Sequence, residues 1–246
     1  MRYLVCLPAM LFIWSAAAPA VADTCIKQKR HMDEYYYGGV VSPEENSENE
    51  MWIGGKKMAY ITETQIVVVD VENGVLKFAN RRDSTYVETP LPFLWTNVLD
   101  EETAGYLARY RTEGVVEETG ESKKILGRDC ICYLVETWIE DGGQRFNERE
   151  EKVWLTTDLA IDWEAYAKIS RAGMLIQNYD EPLVEAFMAI PGMPLLMEAD
   201  VFQQGFSVKQ VESAVDIVET QPETDVYSVP AYFTKKDKLT MADLRD

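Results

Sequence analysis

Few residues in this chain have side chains and spacing suited to chemistry. Cys130 and Cys132 flank Ile131 in a strand-like run, Cys25 lies near the start, and His31 is the only histidine. Side chains two apart on a strand share a face, so Cys130 and Cys132 are neighbours, though a bridge between them would be strained. Besides Cys6 in the leader described below, three cysteines allow one disulfide and one remaining thiol. The pairing to expect is Cys25 with Cys130 or Cys132. A zinc site would need Cys25, His31 and the Cys130/Cys132 pair to converge, and their spacing fits no standard pattern. A Ser-His-Asp triad would have to use His31, beside the charged segment 27–30, where a surface histidine is the expectation. Glu148, Glu150 and Glu151 could line a cleft, but a solvated strand face is the simpler reading. Neither a glycine-rich phosphate loop nor an Asp-rich calcium loop occurs. The chain therefore reads as no enzyme: no catalytic residue, no metal, no cofactor.

Aromatic and methionine side chains form a second set. Trp52, Trp95, Trp138, Trp154 and Trp163, with Met174, Phe187, Met188, Met193 and Met197, supply large or adaptable apolar surface. They read either as ordinary core or as the lining of a cavity between sheet and helices that takes an apolar ligand.

The elements that must position these residues are mostly strands. Residues 1–22 read as a secretory leader: Arg2, an apolar run from Tyr3 to Trp14, small residues, and Ala20-Val21-Ala22 as the cleavage signal. The run is short of the ~20 residues that span a bilayer, and no later segment reaches that length. Cys25 follows Thr24, which is not the small residue a lipid-anchored cysteine requires. With 42 acidic against 24 basic residues the net charge is −18. Such a surface repels nucleic acid and anionic lipid headgroups and suits a basic protein partner.

Along the chain, 31–41 reads as a first strand, 42–50 as an exposed acidic loop, and 51–62 as a strand broken at Gly54-Gly55. The run 64–71 reads as a strand covered on both faces. Asn73-Gly74 marks a hairpin to 75–80, and 84–89 is another strand. Helical spacing with an acidic start predicts a helix over 101–112. Residues 114–157 read as three strands joined by a short loop and the Asp141-Gly142-Gly143 turn. A helical region spans 163–190, divided at Pro182. Strands then recur over 195–203, 206–219 and 226–229, and 235–246 reads as a frayed tail. Short turns imply antiparallel pairing, so the class is α+β: a curved antiparallel sheet in a single domain over 23–234, with helices to cover its inner face.

Several segments, in order, resemble the DUF4412 family. They are Trp52-Ile53-Gly54-Gly55-Lys56-Lys57-Met58, Asp83-Ser84-Thr85-Tyr86-Val87-Glu88, 119–130 (TGESKKILGRDC), Val153-Trp154-Leu155-Thr156-Thr157-Asp158-Leu159, and Gly192-Met193-Pro194-Leu195 with Val229-Pro230-Ala231-Tyr232. Arg128 replaces a usual aromatic, Cys132 is an extra cysteine, and Ala231-Tyr232 lacks a usual glycine. The resemblance implies a bacterial periplasmic domain of LolA/LolB-like architecture, an incomplete β-barrel wrapped over helices. It implies an apolar cavity for a lipid, an acyl chain or a lipoprotein. It also places Cys130 at the family position, which makes Cys25–Cys130 the implied disulfide. An alternative role is an envelope interaction module acting through the acidic surface.

Overall fold

A computed structural model describes residues 22–37, 40–203 and 206–240. The strands are β1 (Asp23–Met32), β2 (Tyr35–Tyr37), β3 (Val40–Ser42), β4 (Glu45–Ile53), β5 (Lys57–Ile61), β6 (Gln65–Asp70), β7 (Val75–Asn80) and β8 (Thr85–Pro90). Helices α1 (Trp95–Val98) and α2 (Glu101–Arg109) follow, then β9 (Thr112–Ile125), β10 (Arg128–Asp141) and β11 (Gln144–Thr156). Next come α3 (Trp163–Ile176), α4 (Glu181–Met188), β12 (Met193–Gln203), β13 (Phe206–Thr220) and β14 (Thr234–Lys235). Twelve strands form one curved sheet in the order β14-β8-β7-β6-β5-β4-β1-β13-β12-β11-β10-β9, and it does not close into a barrel. The short β2–β3 hairpin stands apart as its own sheet.

The segment 42–50 is largely exposed, as expected, but it is a strand for most of its length and not a loop. β4 pairs with β1 along its whole length, setting Lys27 opposite Glu50 and Lys29 opposite Glu48. Lys29 Nζ lies 3.2 Å from Glu48 Oε1. The acidic run is thus matched to the basic run of its neighbour, as cross-strand pairing favours. The expected first strand at 31–41 is instead the end of β1 and the β2–β3 hairpin. Asn73-Gly74 closes the β6–β7 hairpin, with Gly74 at φ 64 and the Asp70 carboxylate accepting from the Asn73 N–H at 2.9 Å. Ile66 and Val68 of β6 pack in one cluster and Val67 and Val69 in another, so this strand is covered on both faces.

Each longer helix starts at an aspartate whose carboxylate accepts a backbone N–H: Asp100 from Thr103, Asp162 from Ala165 and Asp180 from Leu183. Pro182 lies in the first turn of α4, where its missing N–H costs nothing, so the break falls at residues 177–180 and not at the proline. Arg171 of α3 reaches Glu181 and Glu185 of α4. Tyr166, Ile169 and Ala172 of α3 share the main apolar cluster with Ile26, Met58, Val69, Trp154 and Leu195 of the sheet.

Residues 234–239 are docked on the fold, so the frayed tail expected over 235–246 does not describe this part of it. β14 pairs in parallel with β8. Leu239, 2% exposed, joins the main cluster and its N–H donates to the Val98 carbonyl at 2.6 Å. Residues 241–246, and residues 1–21 of the expected leader, lie outside the described residues.

Candidate functional site

The structure does not form the expected disulfide. Cys25, Cys130 and Cys132 are free and buried. Three strands separate β1 from β10. At ~4.8 Å between neighbouring strands that separation is far beyond the ~7 Å Cα limit for a bridge. Cys130 and Cys132 pack in the main cluster with Ile26, while alternation turns Cys25 to the opposite face of β1. Burial, then the Glu50 carboxylate, pushes the Cys25 thiol up to about 11, and burial also raises Cys130. Both thiols are held protonated at neutral pH, unlike a thiol nucleophile.

His31 is solvent-accessible, with Nδ1 3.0 Å from Asn46 Oδ1 and Nε2 3.0 Å from Asp33 Oδ1. The hydrogen bonds with Asn46 and then Asp33 hold the imidazole above its ordinary value of 6.5. A raised histidine contributes stability below the unfolded-state value and loses it as pH rises through the folded one. An NMR titration of this single histidine should therefore give a midpoint above 6.5, and Asp33→Asn should bring it down.

The aromatic and methionine set does not meet at one place. Trp154 and Met193 belong to the main cluster, with Trp95 and Trp163 packed against it. Phe187 and Met197 pack on a cluster formed by Val135, Val153 and Leu155, and Trp52 packs on a third with Ala59 and Phe233. Trp138, 9% exposed, lies under Arg145, whose guanidinium carbon is 3.6 Å from the ring centroid. Met174 and Met188 are half-buried on α3 and α4. A groove of about 1020 Å³ borders β1, β4 and the β5–β6 turn, and none of the ten residues lines it.

The residues that do converge are polar. Tyr60, Glu212 and Arg30 interact electrostatically, as do Glu212, Glu151 and Arg149, and Tyr179 with the last two. Register explains the meeting. Arg30 of β1 is opposite Glu212 of β13; Gln210 of β13 is opposite Ala199 of β12, which is opposite Glu151 of β11. Gln28 is opposite Asn49. Four strands, β1, β4, β11 and β13, change character on this one face, every second residue, in the same direction, while β12 between β13 and β11 keeps Met197, Ala199 and Val201 there. Ile26 gives way to Gln28 and Arg30, Met51 to Asn49, Ala214 to Glu212 and Gln210, and Val153 to Glu151 and Arg149. The face is therefore amphipathic along its length, with its polar half toward the β10–β11 and β12–β13 turns.

Within this half, Arg149 Nη2 donates to Glu151 Oε1 at 2.6 Å, and Glu151 is 7% exposed. Burial, the largest influence, raises the Glu212 carboxyl, and Arg30 opposes that rise. Burial lifts the Tyr179 hydroxyl to about 12. Tyr179, from the α3–α4 loop, stacks on Phe187 with centroids 6.0 Å apart. Among the described residues, three buried side-chain atoms lack a hydrogen-bond partner, and two of them are here: Gln28 Oε1 and Arg30 Nε. Gln28 is 3% exposed. An orphaned buried polar atom typically costs about 1–3 kcal/mol.

Of these residues the sequence singled out only Glu151, as one that could line a cleft; Gln28, Arg30, Arg149, Tyr179 and Glu212 were not among its candidates. Glu148 and Glu150 are exposed as expected, but Glu151 is not. The available signal was polar residues spaced by two that continue an apolar stripe on β1, β11 and β13.

No family model matches the chain and no curated protein matches it, so the DUF4412 resemblance rests on the motifs quoted above. Among solved structures, the chain is similar to a putative outer membrane lipoprotein-sorting protein domain from Vibrio parahaemolyticus. That domain is 9% identical, the match covers 84% of this chain and 89% of that one, and the TM-score is 0.27. Similarity that distant carries no functional weight.

Proposed function

We propose that this is an exported, non-enzymatic binding or carrier protein of the bacterial envelope, working in the periplasm. Its ligand is an amphipathic molecule, a lipid or an acylated protein, held between the sheet and α3–α4. One observation carries the reading. A single face of the sheet passes from apolar (Ile26, Met51, Val153, Ala214) to charged and polar (Arg30, Asn49, Glu151, Glu212) in the same direction on four strands. A water-filled interior has no need of the apolar half, and a plain hydrophobic core has no need of the polar one, which is costly to bury. The two halves match a molecule with an acyl chain and a polar head.

Titration with the fluorescent acyl probe cis-parinaric acid tests the proposal. Saturable binding of one probe per chain, displaced by unlabelled dodecanoyl compounds, is the expected result. Fluorescence that rises without saturation would reject a built site. The net charge of −18 supports a second reading, an interaction module for a basic partner. Capture that weakens steeply with salt would favour it.

A further inference from the structure

We infer that the open edge of β9 over Gly114, Val116 and Glu118 is a docking strand for an extended basic segment of a protein partner. The inference deepens the interaction-module reading above by giving it a place and a geometry. β9 ends the twelve-stranded sheet, and its 14 residues far exceed the 2 of β14 at the other end. The chain itself already pairs with the start of this edge. The Thr112 N–H donates to the Asn178 carbonyl at 3.0 Å, and the Thr112 carbonyl accepts from the Asp180 N–H at 2.9 Å. In an antiparallel ladder every second residue points its N–H and C=O to the same side. Gly114, Val116 and Glu118 therefore aim theirs at the side that 178–180 occupies, and among the described residues nothing continues that segment along them. Past Glu118 the ladder with β10 shifts register and Gly120 takes φ 75, so the regular edge stops there. α4 turns from the edge onto the sheet face: Leu183 sits beside Gly114, and Phe187 and Ile190 pack with Val135, Val153 and Leu155.

The side chains select the occupant. Glu117 and Glu118 are exposed and form no ion pair among the described residues. Val115 is 44% exposed and Val116 half-buried. An added antiparallel strand with cations opposite the glutamates and apolar residues opposite the valines satisfies both, by strand addition. A second copy pairing about Val116 would set Glu118 against Gly114 and Glu117 against Val115. That crowds four carboxylates with no cation among them, so the same charges disfavour self-pairing.

The test is an NMR titration of the 15N-labelled protein with the probe acetyl-Lys-Lys-Val-Val-Ser-Lys-amide, whose lysines fall opposite Glu118, Glu117 and Glu113. Saturable shifts centred on the Gly114, Val116 and Glu118 amides, with slowed solvent exchange of those three, are the expected result. N-methylating the probe at its first valine and its serine, whose N–H groups face β9, should weaken binding about ten-fold, the scale of one lost backbone hydrogen bond. The isomer methylated at its second lysine and second valine has the same charge and should bind like the parent. Glu117→Gln/Glu118→Gln should weaken binding and flatten its salt dependence. Equal weakening by the two isomers, or shifts centred elsewhere, would overturn the inference and leave the basic-partner reading intact. Failure of this probe and of a lysine hexamer alike to bind at low salt would overturn both. A free protein that sediments as a dimer with protected 114–118 amides would assign the edge to a second copy, and would also overturn the inference.

Discussion

Replacing Leu239 by alanine should lower the free energy of unfolding by roughly 2–5 kcal/mol, the range for truncating a fully buried leucine. The side chain is 2% exposed and packs in the main cluster, which also contains Val98 and Leu99. Two backbone hydrogen bonds hold the segment in place: the Leu239 N–H donates to Val98 and the Asp100 N–H donates to Leu239. Because Asp100 also caps α2, loosening Leu239 should fray the start of that helix. Urea unfolding followed by circular dichroism measures the loss. A change below about 0.5 kcal/mol would place Leu239 with exposed surface residues.

Arg149→Met should cost roughly 2–4 kcal/mol, for a different reason. The substitution keeps most of the side-chain volume but leaves the Glu151 carboxylate buried without its 2.6 Å partner. Removing one member of a buried ion pair is far more damaging than removing both. The double variant Arg149→Met/Glu151→Leu should therefore return to within about 1 kcal/mol of wild type, giving a large coupling energy in the double-mutant cycle. Additive losses would mean that the two charges act independently. Since Tyr179 feels both charges, the single variant should also disturb the α3–α4 loop.

Where local signals agree with the fold, the sequence was readable. The Asn73-Gly74 hairpin, the three strands of 114–157 and the acidic start of α2 are set by neighbours a few residues away. What stayed hidden depends on distant partners. β4 looked like an acidic loop because its charges are balanced only by β1 across the ladder. Residues 235–240 looked like a tail because nothing in their composition announces that Leu239 enters the core. The disulfide expectation failed because strand order, which puts three strands between Cys25 and Cys130, is not written in cysteine spacing. The polar cluster was hidden in the same way. Gln28, Arg30, Glu151 and Glu212 each resemble ordinary strand-surface residues until register brings them together.

The central claim is that the amphipathic face holds an acyl-bearing ligand. Native mass spectrometry of the protein, purified without detergent from a bacterial periplasm, tests it most directly. The expected spectrum contains a population heavier than the chain by a discrete mass of an amphipathic molecule, released by organic extraction and reduced in the Arg30→Gln variant. A single peak at the mass of the bare chain, unchanged after incubation with dodecanoyl compounds, would contradict it.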